Sequence, residues 1–501
     1  MYCLLPYVVT KHLSSYLGRY VISSSDEHEI TAKKFVRRIE RLVTDLVTAN
    51  FKQPGGLWKF QISLFDLQAD IQQAIAGVKK LPRKDRQDPA QYEALQHLRD
   101  ARWHARRLGD AFAWVCFGGD RRSLHALGGN TRVSVVPERG YRDAAMMTIA
   151  NQLARAGWGF PLLHDVTHCL RIGDITFIKI DAETGSRKFT TVEMKTRLVS
   201  QQPAGENQTR YSYEVSVITG LTNEQVTELG LPDFDGTATA LGGEQPQEPR
   251  ERRLDRRLEK QLRRLGRAVD QTAAPWNEIV DLQGGEGPFL AAQFVSDAES
   301  HWNVLRRVIR NARKDGYASE VVESTFLYAA IYSEAGIEDE DIKNDRLTED
   351  LHSDIFIHDG RRKRLLINSI PVVETQGVQE FLPFFLYRIP RRAIFDIINL
   401  RLVLVVLLNP DRIDAALEAE GFQVIDRTGS GDLTDESFIL AAKLTGPGGH
   451  QYAFEFRGLR SHVDEMIYEF KSIQYIVDVA RQMRDLAQQQ LIEHGEVLQS
   501  P

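Results

Sequence analysis

The sequence predicts a mixed α/β (α+β) protein built in three parts. Three observations carry that expectation. Apolar residues recur at helical spacing through residues 1–138, strand-like runs crowd the middle of the chain, and strands and helices alternate beyond residue 336. At 501 residues the chain exceeds one simple core, so two or three domains are expected. The spans read as a mainly helical region over 1–138, a central domain over 139–335 with an insertion at about 199–249, and a C-terminal α/β domain over 336–501.

The helical region comes first. Over residues 32–50, Phe35, Ile39, Leu42, Val43, Leu46 and Val47 share one face, with lysines and arginines opposite. A second helix is expected over roughly 90–117, broken or capped near Gly109. Its Arg99, Arg102, His104, Arg106 and Arg107 read as a solvated basic face. Residues 117–122 and the pair Gly128-Gly129 read as loops without the GxxxxGK spacing of a phosphate-binding loop.

In the central part, Met146, Ile149, Ala150 and Leu153 place a helix over 142–156, ended by Gly157. A strand is expected over 160–170. Two further strand-like runs follow, RIGDITFIKID and KFTTVEMKT, rich in Val, Ile, Phe and Thr and joined by a turn at 183–186. Gly185 supplies the turn chemistry, so these runs form a hairpin. Residues 201–248, rich in Gln, Gly, Thr and Pro, read as an insertion or mobile loop with one strand-like run at 211–218. Residues 250–270 then form a strongly basic helix whose apolar stripe is Leu254, Leu258, Leu262 and Leu265. Another helix over 300–314 carries Arg306, Arg307, Arg310 and Arg313 and leads into a strand over 324–332.

The acidic run at 338–341 marks a domain boundary. Beyond it, 400–408 reads as a buried strand, followed by a helix at 411–420, a strand at 422–425, a strand pair at 438–444 and 451–456, and one long helix over 461–494.

Composition excludes several classes. A formal charge of −6 gives no global nucleic-acid signal, so any such contact must come from local basic patches. Three cysteines, Cys3, Cys116 and Cys169, without CxxC spacing argue against a disulfide framework or structural zinc. No stretch approaches the roughly 20 apolar residues of a membrane span, and the N-terminus lacks a basic leader. A cytoplasmic protein without membrane contact is expected.

Chemistry concentrates in the hairpin. Asp174 follows Gly173 at the start of the first run, and Glu193 and Lys195 lie two apart, on one face of the second. Two carboxylates and an amine thus converge at one end of the hairpin, an arrangement suited to metal-assisted phosphodiester chemistry. With the helix upstream, Gly173-Asp174 and Glu193-Met194-Lys195 resemble the PD-(D/E)xK nuclease superfamily, the restriction-endonuclease-like fold, over about a third of the chain. The resemblance implies an αβββαβ core and a metal-dependent nuclease, with DNA as the expected substrate. By analogy it points to restriction or anti-phage defence.

Magnesium is a hard ion that prefers oxygen ligands, so Asp174 and Glu193 suit Mg²⁺ (or Mn²⁺). The resemblance adds the Met194 carbonyl as a further ligand. Lys195 would position the attacking water or stabilise charge developing on phosphate. Asp143, in the first turn of the upstream helix, is a candidate extra carboxylate, and Gln261 a candidate polar residue downstream of the motif. Arg253, Arg256, Arg257, Lys260, Arg263 and Arg264 form the candidate polyanion-binding face. A homo-oligomer or partner subunit is left open. The competing expectation is a non-catalytic nucleic-acid-binding or scaffold protein that keeps a nuclease-like fold.

Three other patterns are set aside. His164, His168 and Cys169 invite zinc, but i and i+4 on a strand lie too far apart, so packing is expected. Gly431-Asp432 with Glu455-Phe456-Arg457 mimics the motif but has arginine at the lysine position. The aromatics of residues 381–392 are assigned to core packing rather than base stacking.

Overall fold

The computed structural model describes residues 27–48, 54–83, 88–128, 141–181, 183–205, 208–219, 256–273, 294–332, 381–399, 401–426, 438–446, 449–456 and 459–494. It also describes residues 137 and 292 and short strands at 238–239, 279–281, 288–290, 357–358, 361–362 and 366–370. Strands pair antiparallel throughout the described residues, so the class is mixed α+β. Two compact units emerge, one drawn from residues 24–292 and 376–385, the other from 293–375 and 386–501. No described helix is long and apolar enough to cross a membrane.

The first unit opens with α1 (Glu27–Thr48), α2 (Pro54–Lys80) and α3 (Pro89–Phe117), which pack pairwise. Phe35, Ile39, Leu42, Val43 and Leu46 are buried as their spacing predicts, whereas Val47, at the helix end, is exposed. Helix α2 is additional to the expected elements. Its buried Leu57, Phe60, Leu64, Leu67, Ile71 and Ile75 nonetheless recur at intervals of three and four. Helix α3 runs unbroken through Gly109 and ends at Gly118, whose φ of 69° forms a left-handed cap. Gly109 marks a close approach: a Cβ there would lie 1.8 Å from the Val166 carbonyl oxygen.

The solvated basic face expected on α3 is corrected. His104, Arg106 and Arg107 are buried. Arg106 donates to the Thr167 carbonyl, and Arg107 Nη1 bonds Asp110 Oδ2 at 3.1 Å. These acceptors substitute for water, which is what allows guanidinium groups inside. His104 stacks edge-on against Trp103 and Phe384, its Nδ1 has no hydrogen-bond partner among the described residues, and burial pushes its pKa down to about 3.

That ring must therefore stay neutral in the fold. Its usual pKa of about 6.5 returns on unfolding. The stability it contributes is complete above pH 6.5 and is lost as pH falls toward 3. Between pH 6.5 and 5 the expected loss is about 2 kcal/mol. Urea unfolding at both pH values reads the combined pH dependence, and the His104→Phe variant should shrink it by that amount. An unchanged pH slope in the variant would remove His104 as its source.

Residues 117–122 are not simply a loop, because α4 (Arg121–Gly128) begins inside them. Next come α5 (Tyr141–Leu153), a wide turn over Ala154–Trp158, and a meander of β1 (Phe160–Leu163), β2 (Ile175–Ile180), β3 (Arg187–Gly205), β4 (Gln208–Thr219) and β5 (Ala238–Thr239). Strand β1 stops at Leu163, and His164–Val166 form a 3₁₀ turn, shorter than the strand expected over 160–170. The expected insertion is partly regular, since β3 and β4 extend the hairpin into it. Helix α6 (Arg256–Ala273) packs on α4 and β3. A two-stranded pair, β6 (Ile279–Asp281) and β7 (Pro288–Leu290), follows, and residues 381–385 also belong to this unit.

In the second unit, α7 (Trp302–Asp315) lies on β8 (Tyr317–Val322) and β9 (Phe326–Tyr332). Short β10 (Ile357–His358) pairs with β11 (Arg361–Arg362). The main sheet runs β12 (Leu366–Ile370), β13 (Leu402–Leu408), β9, β8, with α8 (Arg391–Ile398) packed on β13. All seven residues of β13 are buried, as the apolar run predicts. Helix α7 and strand β9, which fall inside the 139–335 span, thus pack with β13 in this unit. Helix α9 (Pro410–Ala419) precedes a second sheet of β14 (Gln423–Asp426), β15 (Phe438–Thr445) and β16 (Gln451–Phe456). The single terminal helix is corrected to α10 (Leu459–Glu469) and α11 (Ile473–His494). Between them Phe470 is buried with φ of 55°, a left-handed conformation that interrupts a helix.

Candidate active site

The expected hairpin forms, with β2 paired antiparallel to β3. Ile175 pairs with Val192 and Ile180 with Arg187, which sets Asp174 level with Glu193 one step beyond the ladder. Asp181 closes the turn: its Oδ1 accepts from the Glu183 and Thr184 backbone N–H groups, and Gly185 has φ of 69°.

Asp174 is buried and held from two sides. Its Oδ2 accepts the Met194 backbone N–H at 2.6 Å, and its Oδ1 meets Arg142 Nη2 at 3.1 Å. Gly173 makes this placement possible. Its φ is 79°, and a Cβ would lie 2.5 Å from Thr191 Cγ2.

His164 fixes the same turn from beneath. Its backbone N–H donates to the Asp174 carbonyl, and its ring contacts the Gly173 carbonyl through Nδ1 at 3.0 Å and Thr176 Oγ1 through Nε2 at 2.8 Å. Burial lowers its pKa to about 4, so the ring is neutral. A carbonyl can only accept, so Nδ1 carries the proton and Nε2 accepts from Thr176. Thr176 Oγ1 then accepts from Thr191, 2.8 Å away. The histidine is a structural clamp. His168 and Cys169 have a packing role too, their backbone N–H groups both donating to Asp110 Oδ1.

Two charged residues escaped the sequence reading. Burial alone would lower the Arg142 pKa, but Asp165 and Asp174 outweigh it and raise it. Asp165, in the 3₁₀ turn, is buried, and its pKa is pushed up to about 6 by burial and by Asp174 and Glu193, with Arg142 and Arg106 opposing. Asp165, Asp174 and Glu193 therefore share one electrostatic neighbourhood around Arg142. Nothing in one dimension separates Asp165 from an ordinary turn residue.

The remaining expected residues divide by position. Glu193 is half-buried on β3, with Ile218 opposite on β4, and Met194 is buried. Lys195 occupies the next same-face position, opposite Ser216, while its side chain lies outside the described residues. Asp143 is buried in the first turn of α5 and acts electrostatically on Arg142. Gln261, Arg256, Arg257 and Lys260 lie on α6 with side chains outside the described residues, as does Arg253 altogether. Arg263 and Arg264 are exposed, while Leu265 is buried. Asp432 and Arg457 of the mimic lie outside the described residues.

Among the described residues no three His, Cys, Asp or Glu side chains group closely enough to hold a metal ion. Asp174 and Glu193 remain a hard-oxygen donor pair, and the Arg142 guanidinium shows that positive charge is accommodated beside Asp174. Each carboxylate oxygen keeps a second lone pair beside its present partner. This chemistry fits Mg²⁺, which commonly takes one or two protein carboxylates and fills its shell with water and substrate phosphate. Comparison with protein families, curated proteins and solved structures finds no match.

Proposed function

We propose that the chain is a metal-dependent nuclease hydrolysing phosphodiester bonds, with DNA as the substrate and Mg²⁺ or Mn²⁺ as cofactor. The observation that carries this reading is Asp174, fixed between the Met194 N–H and Arg142 at the level of Glu193. The order of α5, β1, β2 and β3 supports a PD-(D/E)xK-like arrangement, with αβββ in place of the full αβββαβ.

Asp174 and Glu193 would hold the ion, aided by the Met194 carbonyl. When bound, the ion supplies charge neutralisation at phosphate and a water of lowered pKa. Lys195 would orient that water or offset charge growing on the phosphate oxygens. Arg142, half-exposed, neutralises Asp174 without the ion and can turn to the substrate phosphate when the carboxylate is needed. Helix α6, packed on β3, would carry the adjoining polyanion contacts through Arg263 and Arg264.

The scaffold reading also draws on one observation: Arg142 already satisfies Asp174 as a cation would. Metal removal separates the two. Purified protein incubated with plasmid, linear DNA and RNA should cleave in Mg²⁺ or Mn²⁺ and not in EDTA, with activity restored by added metal. Binding without cleavage under every metal condition would favour the scaffold.

A further inference from the structure

We infer that the second unit carries its own phosphate-backbone contact surface, an arginine stripe formed by α7 and the 388–396 segment, which binds nucleic acid independently of the hairpin site. The inference shares only the partner class with the proposed nuclease activity.

The stripe follows from how two segments are joined. Arg306 Nε donates to the Arg388 carbonyl at 2.7 Å, and Arg313 pairs with Asp396, which Tyr332 Oη also contacts. These two ties align residues 306–313 alongside 388–396 over a helical rise of about 10 Å. Arg306 and Arg310 are one turn apart on α7, and Arg391 and Arg392 open α8 between the two ties. Arg306, Arg310, Arg388, Arg391 and Arg392 are all exposed.

Carboxylates are absent from both segments until their ends, at Asp315 and Asp396. Glu320 is engaged with Arg307 and Asp396 with Arg313. No described carboxylate pairs with Arg310, Arg388, Arg391 or Arg392. In a chain of net charge −6, four such guanidinium groups beside Arg306 form a local excess that an ordinary interleaved helix surface does not.

The chemistry selects the partner. Guanidinium forks match phosphate oxygens in pairs, and successive backbone phosphates supply charges at the spacing of a few ångströms that a stripe requires. A membrane surface would call for apolar anchors among the cations. Here the aromatic and aliphatic neighbours Trp302, Leu305, Tyr387, Ile389 and Ile394 are buried, and neither segment exposes a large apolar side chain.

The test uses the full chain in EDTA, so that binding is read without cleavage. Fluorescence anisotropy of labelled duplex and single-stranded DNA is followed against salt concentration. The Arg310→Gln/Arg391→Gln/Arg392→Gln variant should lower the slope of log K against log salt by roughly 2–3, near 0.9 per lost phosphate contact on duplex. The triple lysine variant should retain most of the slope, which separates lost charge from lost structure. An unchanged slope in the glutamine variant would overturn the stripe, as would an absence of DNA binding together with arginine-dependent capture on phosphatidylserine vesicles. Cleavage surviving with an unchanged slope would reject this surface alone. A reduced slope in a protein that never cleaves would reject the nuclease reading alone.

Discussion

Asp174→Asn is expected to lower Mg²⁺-supported cleavage by on the order of 10³-fold while leaving the fold intact. The reason lies in the two sides of this carboxylate. Asparagine keeps an oxygen to accept the Met194 N–H, so the turn at Gly173 stays closed. It loses the charge that Arg142 and the proposed ion share. Lys195→Ala should fall by a comparable factor, because an amine that steadies the transition state contributes chiefly to turnover. Single-turnover cleavage rates with plasmid, alongside thermal melts of each variant, make the measurement. Cleavage equal to that of the parent by either folded variant would remove the assigned role of that residue.

How much of this was legible depends on the range of the forces involved. The hairpin could be read because alternation of Val, Ile, Phe and Thr reports a local period, and Gly185 reports a local turn. The same holds for β13, whose apolar run announces burial on both faces. Asp165 could not be read. Its role rests on a 3₁₀ turn that carries it toward Arg142 and Glu193, and no residue within its own turn encodes that. Helix α3 shows the opposite failure. Its arginines look solvated by composition, yet acceptors supplied by Thr167 and Asp110 hold Arg106 and Arg107 inside. The break between α10 and α11 was hidden for another reason: Phe470 takes a positive φ that its residue type disfavours, so only the surrounding structure imposes it.

The largest effect on stability is expected at Asp110. This side chain is fully buried, and its two oxygens divide their work. One accepts from Arg107, and the other accepts from the backbone N–H groups of His168 and Cys169, the latter at 2.7 Å. Asp110→Ala would remove a counter-charge and the acceptor of two backbone N–H groups in a space that water does not reach. Breaking a buried ion pair by deleting one partner costs about 3–5 kcal/mol. By contrast, Asp70→Ala in the half-exposed pair with Arg38 should cost only about 0–1 kcal/mol. Urea midpoints of the two variants measured together decide the matter, and equal shifts would show that the buried network is not what holds the segment. The consequence reaches the site. Asp110 pins residues 168 and 169, the chain then turns through Arg171 and Ile172, whose N–H groups both donate to the Leu127 carbonyl, and emerges at Gly173 and Asp174. A carboxylate in the helical layer thus sets where the candidate catalytic carboxylate begins, so cleavage by Asp110→Ala should fall even at temperatures where the protein remains folded.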